Sequence, residues 1–363
     1  MRMPFNKSLY FLVVSFFVLL VVGCTKVLTT QNPVTVTPTS SLPPTPITEQ
    51  PGTEIHIPSQ SDWVDYGTIL EAGAEDDWDY YLWGGFAFSV IKKDGLFYLY
   101  YQGSSDYRTE YDETVLWRAI GVATSDDGIH FSKYEGNPIL TWFPNQYGEE
   151  GAVSSGVTLG DYGETVLFYG ANTKESVITV NADVRVAFSS DGLNFVDQGI
   201  MLNRNDRSVW GSGDELFCVD AIYDSGQWIV YYIPNGTAEG GRLGVAYGDS
   251  YNELTQSSAV MSDNQPISVW GTAGHVKLAS DTYALVLNNV REKRTEVRRV
   301  SLESPNILSA PMAVYQFDDV QQSALLLDTE SDVWFMYYRT YENSYGVKLA
   351  PAGDKPLPDF TSP

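Results

Sequence analysis

Five separated segments of this 363-residue chain carry residues suited to chemistry, and most pair an aromatic side chain with an acid. They are Asp76-Asp77-Trp78-Asp79-Tyr80-Tyr81-Leu82-Trp83, then Trp142-Phe143 running on to Tyr147-Gly148-Glu149-Glu150, then Ser208-Val209-Trp210-Gly211 with Asp214-Glu215. Ser268-Val269-Trp270-Gly271 with His275, and Asp318-Asp319, complete the set. Carboxylates around a pocket walled by Trp and Tyr suit carbohydrate chemistry. Cleaving a glycosidic bond takes one protonated acid on the leaving oxygen and one ionised carboxylate to activate water or attack carbon. Aromatic faces stack on the apolar faces of sugar rings while neighbouring polar groups read the hydroxyls. For that chemistry, segments far apart in sequence must converge.

A repeated unit separates these segments and supplies the means. Phe97-Tyr98-Leu99-Tyr100-Tyr101 reads as a strand, Ala119–Ser125 as a second, and Asp126-Asp127-Gly128 as the turn into a third beginning at Ile129-His130-Phe131. Period-two apolar residues bounded by Asp-Gly turns are a hairpin signature. The unit recurs at Thr165–Tyr169 with Val184–Phe195, at Trp228–Tyr232 with Leu243–Tyr247 and at Val333–Tyr338 with Tyr345–Ala350; a weaker copy is Tyr283–Leu287 with Glu296–Ser301. The SVWG tetrapeptide stands at matching positions in two copies. A small antiparallel sheet cannot bury a core alone, but five arranged radially can. The expectation is an all-β, five-bladed propeller of four-stranded antiparallel blades. Trp63–Leu70 looks like an outer strand that precedes any blade of its own, so it is expected to complete the last blade and close the ring. The segments between blades then gather around the central channel on one face.

Composition narrows the partners. A net charge of −24 and a pI near 4.3 argue against nucleic acid or a polyanionic substrate. The acidity reads first as a solvated extracellular surface; a carboxylate-lined pocket for neutral or cationic ligands is the functional alternative, which charge alone does not establish. Three His and two Cys leave little for a zinc cluster, and no phosphate-binding glycine loop or nucleophile elbow is present. Cys218 reads as a small buried apolar residue.

The N-terminus carries Arg2 and Lys7, an uncharged apolar run from Leu9 to Val22, then Gly23-Cys24. The run is short for a membrane span and right for a signal-peptide core. Leu20-Val21-Val22-Gly23-Cys24 resembles the lipobox of bacterial lipoproteins, which implies cleavage before Cys24 and lipid attachment there. The expected organisation is a signal peptide over 1–23, a Thr/Pro-rich linker over 24–60, a propeller over 61–353 and a tail over 354–363. The protein would be a monomer held outside the cytoplasmic membrane by its lipid alone.

The stretch YLYYQG…IGVATSDDGIHFSKYEGNPIL, with its variant VAFSSDGLNF, resembles the five-bladed propeller glycosidases, namely glycoside hydrolase families 43, 32, 68 and 130 and their relatives. The resemblance covers Ser61 to Ala350. It implies that acids from the first three blades supply a base or nucleophile, a modulating carboxylate and a general acid. By position these are Asp79, Glu150 and Glu215, with Trp78, Trp83, Trp210, Trp270 and His275 as sugar-contacting residues. The implied substrate is an oligo- or polysaccharide and the implied reaction a hydrolysis, an inverting displacement by analogy. No cofactor is implied apart from a central calcium or other ion, since a central His helps hold a metal or a pKa network in some members. The chain departs from the pattern in three respects, one being that it lacks the Asn-Asp-Pro stretch expected of the invertase-like family. Family 43 usually sets an Asp before a Pro where this chain has Phe86-Ala87-Phe88, and Val153-Ser154-Ser155 likewise lacks an acid. Plainer readings stand beside these. Asp79 could tie down its own loop, Glu150 could be a solvated neighbour of Glu149, Glu215 has rivals in Asp214 and Asp220, the tryptophans could pack between blades, and His275 could be a satisfied core residue. A glycan-binding lipoprotein without catalysis, or a propeller scaffold for protein partners, are the alternatives in function.

Overall fold

The computed structural model describes residues 55–75, 77–82, 88–104, 118–141, 149–174, 180–213, 215–235, 241–269, 273–353 and 355–358. They form the expected five-bladed β-propeller. Blade 1 runs outward from Phe88–Lys93 through Leu96–Ser104 and Arg118–Ser125 to two short pieces, Ser132–Lys133 and Leu140–Thr141. Between those pieces the Asn137 side chain takes the place of a strand, accepting from Val122 N and donating to Val122 O at 2.9 and 2.8 Å. Blade 2 is Glu149–Leu159, Thr165–Lys174, Val180–Ser189 and Val196–Leu202; blade 3 is Glu215–Asp224, Gln227–Asn235, Gly244–Gly248 and Gln256–Ala259. Blade 4 is Ala273–Ala279, Thr282–Asn289, Arg294–Ser301 and Leu308–Tyr315. Blade 5 is Gln322–Asp328, Val333–Arg339 and Ser344–Pro351, and its outer strand is Val64–Glu71 from the N-terminal side.

The repeat works because paired tyrosines in the second strand do two jobs. The first of each pair reaches the next blade: Tyr100 Oη donates to Gly192 O at 2.9 Å, Tyr231 Oη to Pro305 O at 2.9 Å and Tyr337 Oη to Gly128 O at 3.0 Å. The second lies across a glycine of its own third strand, in the pairs Tyr101–Gly121, Tyr232–Gly244 and Tyr338–Gly346. A Cβ on any of these glycines would come within 3.1 Å of the ring, so a larger residue would push the tyrosine off the sheet.

The Asp-Gly turns share one hydrogen-bond pattern. Asp127 Oδ1 accepts from Ile129 N and His130 N at 2.8 Å each, as Asp191 Oδ1 accepts from Leu193 N and Asn194 N at 2.9 and 2.8 Å. Ser125 and Ser189 accept from the glycine N–H at 2.9 Å. These turns close hairpins, as expected. They also dock: Gly128 seats on Phe335 and Tyr337 of blade 5, and Gly192 on Tyr98 and Tyr100 of blade 1.

Closure of the ring is reinforced at both ends. Lys348 in the last strand donates to Asp65 and Asp319 at 2.7 and 2.8 Å. Ordered contacts begin before the expected domain start at residue 61. His56 O accepts from Trp334 Nε1 at 3.0 Å, Pro58 O accepts from Tyr315 Oη at 2.8 Å, and Ile55 and Ile57 pack against the core around Trp334. Beyond 353, Leu357 packs on the core between blades 5 and 1. The linker therefore gives way to the propeller several residues early, because two isoleucines supply apolar surface that the Thr/Pro stretch lacks.

Candidate functional site

The five innermost strands surround a cavity of about 350 Å³ whose lining includes Ser89, Thr158, Asp220, His275 and Ala324, one residue from each blade. Asp220 is buried in the middle of the innermost strand of blade 3, between Val219 and Ala221. It is answered by His275 of blade 4, whose Nδ1 lies 3.0 and 3.1 Å from the two carboxylate oxygens. Farther along the same strands Asp224 accepts from Lys277 Nζ at 2.5 Å and from Tyr283 Oη at 2.6 Å. Blades 3 and 4 are thus laced by a polar ladder down one wall of the channel. On the opposite wall Lys92 of blade 1 binds Asp328 of blade 5 at 2.8 Å. A register shift between Cys218 and Asp220 bends the blade 3 strand where it meets Gly156, at which a Cβ would stand 2.7 Å from the Asp220 carbonyl carbon. Cys218 is fully buried as expected, and burial raises its thiol pKa far above the usual range, so it is an inert core residue.

His275 therefore lines the channel and is also satisfied, so neither sequence reading alone describes it. Among the described residues no group of three or more His, Cys, Asp or Glu side chains could hold a metal ion.

The acids separate into two kinds. Glu215 opens the innermost strand of blade 3, opposite Asn235, three positions beyond the Tyr232 pairing. In blade 2 the pairings Glu149–Thr173 and Ala152–Ala171 bracket the same level, and Glu150 falls in the register shift between them. The backbone thus sets Glu150 and Glu215 at one height on adjacent innermost strands, at the end of the channel from which blade 1's strand also starts. The Glu150 side chain lies outside the described groups. Glu215 is largely buried.

Asp79 is placed differently. It lies on the flank of blade 1, where its carboxylate receives Lys133 Nζ at 2.7 Å and Tyr101 Oη at 3.0 Å, and it is 3% exposed. Burial, with the Asp79 charge adding to it, pushes the Tyr101 phenol far above its ordinary pKa and keeps it a donor. The Asp79 carbonyl also accepts from Gly73 N at 3.0 Å. These contacts match the loop-anchoring alternative. Asp79→Asn should therefore lower stability by about 1–3 kcal/mol, since it breaks a charge-assisted pair in a buried setting. Thermal melts check this; turnover of any substrate should stay within about twofold of the unaltered protein.

The tryptophans divide similarly. Trp78 stacks on Tyr101 at 5.6 Å between centroids and covers Gly103 and Gly121. Trp210 covers Gly244 in the equivalent place of blade 3, its carbonyl accepting from Tyr232 Oη at 2.9 Å and its N–H donating to Ser257 Oγ at 2.9 Å. Both pack against their own blades, as the plainer reading has it, and both stay partly exposed. Glycine on the third strand leaves the space that an indole fills. Trp83 and Trp270 lie outside the described residues. The strand Tyr81–Leu82 just before Trp83 is pinned from blade 5, with Leu82 O accepting from Arg339 Nε and Nη2 at 2.8 and 2.6 Å and Leu82 N donating to Asn343 Oδ1 at 2.7 Å.

No protein-family model and no curated protein sequence matches the chain. Solved structures do match in fold. A glycoside hydrolase family 43 enzyme from Xanthomonas citri, complexed with xylotriose, superposes with a TM-score of 0.53 at 13% identity, over 74% of this chain and 87% of that one. A β-xylosidase gives 0.53 at 9% identity, over 74% and 92%. A β-1,2-mannobiose phosphorylase from Listeria innocua, complexed with β-1,2-mannobiose, gives 0.50 at 14% identity, over 75% and 90%. At these identities the likeness is one of fold.

Proposed function

We propose that this protein processes a glycan by breaking a glycosidic bond, with Glu215 as the acid that protonates the leaving oxygen and Glu150 as the second carboxylate. The observation that carries the reading is the shared backbone level of Glu150 and Glu215 on adjacent innermost strands at one end of the channel. The fold likeness to proteins complexed with xylotriose and β-1,2-mannobiose supports a saccharide as the ligand. Two carboxyls about 6.5–9.5 Å apart would admit a water between base and sugar and invert the anomeric centre. Because one of the fold relatives is a phosphorylase, inorganic phosphate stands beside water as an acceptor. Assaying the protein on plant and microbial glycans, with and without phosphate, tests the reading; absence of both turnover and binding on all of them would sink it.

A second reading, a glycan-binding protein without catalysis, is favoured by one observation: the only acid assigned to blade 1, Asp79, is bound by Lys133 and Tyr101. Binding without released product or phosphorolysis would select it.

The proposed setting is extracytoplasmic, through a lipid on Cys24 that follows the apolar run and Gly23. Labelling cells with a fatty-acid analogue should tag the protein and fail to tag Cys24→Ser; equal labelling of both would end this proposal.

A further inference from the structure

Gln322 opens the innermost strand of blade 5, opposite Arg339. Its side chain is fully buried, and neither the amide oxygen nor the amide nitrogen has a hydrogen-bond partner. Its polar neighbours in sequence are engaged. Gln321 Oε1 takes Arg339 Nη1 at 2.8 Å. Ser323 donates from N to Asn288 Oδ1 at 2.9 Å, shares its hydroxyl with Thr295 at 2.9 Å and accepts on O from Asn288 Nδ2 at 2.8 Å. Leaving a primary amide unpaired in the interior is among the costlier things a fold can do, and leucine or methionine would fill the same volume without that cost. Groups kept at such expense concentrate where ligands bind.

Its position says which ligand. Alternation along the strand sends Ser323 and Leu325 toward blade 4, where Asn288 and Val286 lie, and sends Ala324 toward Leu82, Phe88 and Tyr345 at the seam with blade 1. Gln322 shares the side of Ala324. It sits one pairing beyond Tyr338, at the same end of its blade as Glu150 and Glu215 on theirs. No hydrogen bond holds the amide in the seam, so turning its three torsions toward the mouth breaks none.

We propose that Gln322 is a substrate-orienting residue whose amide, with an acceptor and donors side by side, takes two adjacent hydroxyls of a pyranose ring at the channel mouth. This rests on the glycan reading above. Gln322 would act on binding and specificity and not on the bond broken.

The test compares the unaltered chain with Gln322→Leu and Gln322→Met, by thermal melts and by steady-state kinetics on a panel of pyranose di- and trisaccharides that includes β-1,2-mannobiose and xylotriose. Loss of the unpaired amide should raise the melting temperature, while KM for the preferred saccharide rises about 10–100-fold with kcat little changed. A higher melting temperature with KM unchanged would leave Gln322 a mere packing fault and overturn the proposal. So would a lower melting temperature, since the amide would then be serving the fold. Neither turnover nor binding by the unaltered protein across the panel would remove the glycan reading and this assignment with it, an outcome separable from failure of the variants alone.

Discussion

Glu215→Gln is expected to cut turnover by about two to four orders of magnitude, because losing a general acid removes a contribution of that size. The substitution keeps length and shape and leaves the backbone pairing of Glu215 with Asn235 in place, and a thermal melt of the variant separates loss of chemistry from loss of fold. Two further readouts make the result specific. A substrate with a good leaving group, such as a nitrophenyl glycoside, needs little protonation and should lose far less activity than a natural saccharide. The alkaline limb of the pH–rate profile, where the acid gives up its proton, should move or vanish in the variant. Loss of all substrates alike would point to positioning instead, and turnover within about twofold of the unaltered protein would discard Glu215 as the acid.

The largest effect on stability is expected at Gly128. Its φ is +78°, and an added Cβ would lie 2.8 Å from both Phe335 Cε1 and Tyr337 Oη of the neighbouring blade. Gly128→Ala therefore combines a left-handed backbone penalty with overpacking at a seam, together about 2–4 kcal/mol. Gly95 is an internal control: its φ is +81° and nothing stands within 4 Å of a Cβ there, so Gly95→Ala should cost only the backbone part, about 1 kcal/mol. Chemical denaturation of the two variants side by side measures the difference. Equal losses would mean that the turn does not carry the contact between blades 5 and 1.

The ring was legible in the sequence because its signals are local and used more than once. Tyr100-Tyr101, Tyr231-Tyr232 and Tyr337-Tyr338 mark second strands, and the Asp-Gly turns mark the exit from the third. The early strand Val64–Glu71 could only be spare if it completed another blade, and it pairs with Ser344–Pro351. The site was harder to read because its sorting depends on distant partners. Nothing adjacent to Asp79 reveals that Lys133 will reach its carboxylate. Nothing beside Trp78 and Trp210 in sequence shows that they cover Gly121 and Gly244 of their own blades. Asp220 did carry a signal, as an acid flanked by Leu216–Val219 and Ala221–Tyr223, yet its partner His275 comes from another blade. Gln322 carried almost none, since a glutamine at a strand start is ordinary and only its lack of partners sets it apart.

The seam that joins Val64–Glu71 to Ser344–Pro351 links chain ends that are far apart: Asp65 and Lys348, ion-paired across it, are 283 residues distant in sequence. Before those ends meet, the last blade presents a bare strand edge open to pairing with other chains. Closing so long a loop comes late and at an entropic cost, which places this topology among slow folders. The same contact must open before the circle of blades can come apart. How long the molecule survives outside its native conditions is then governed by the rate at which one outer strand peels away, more than by the summed strength of the five cores.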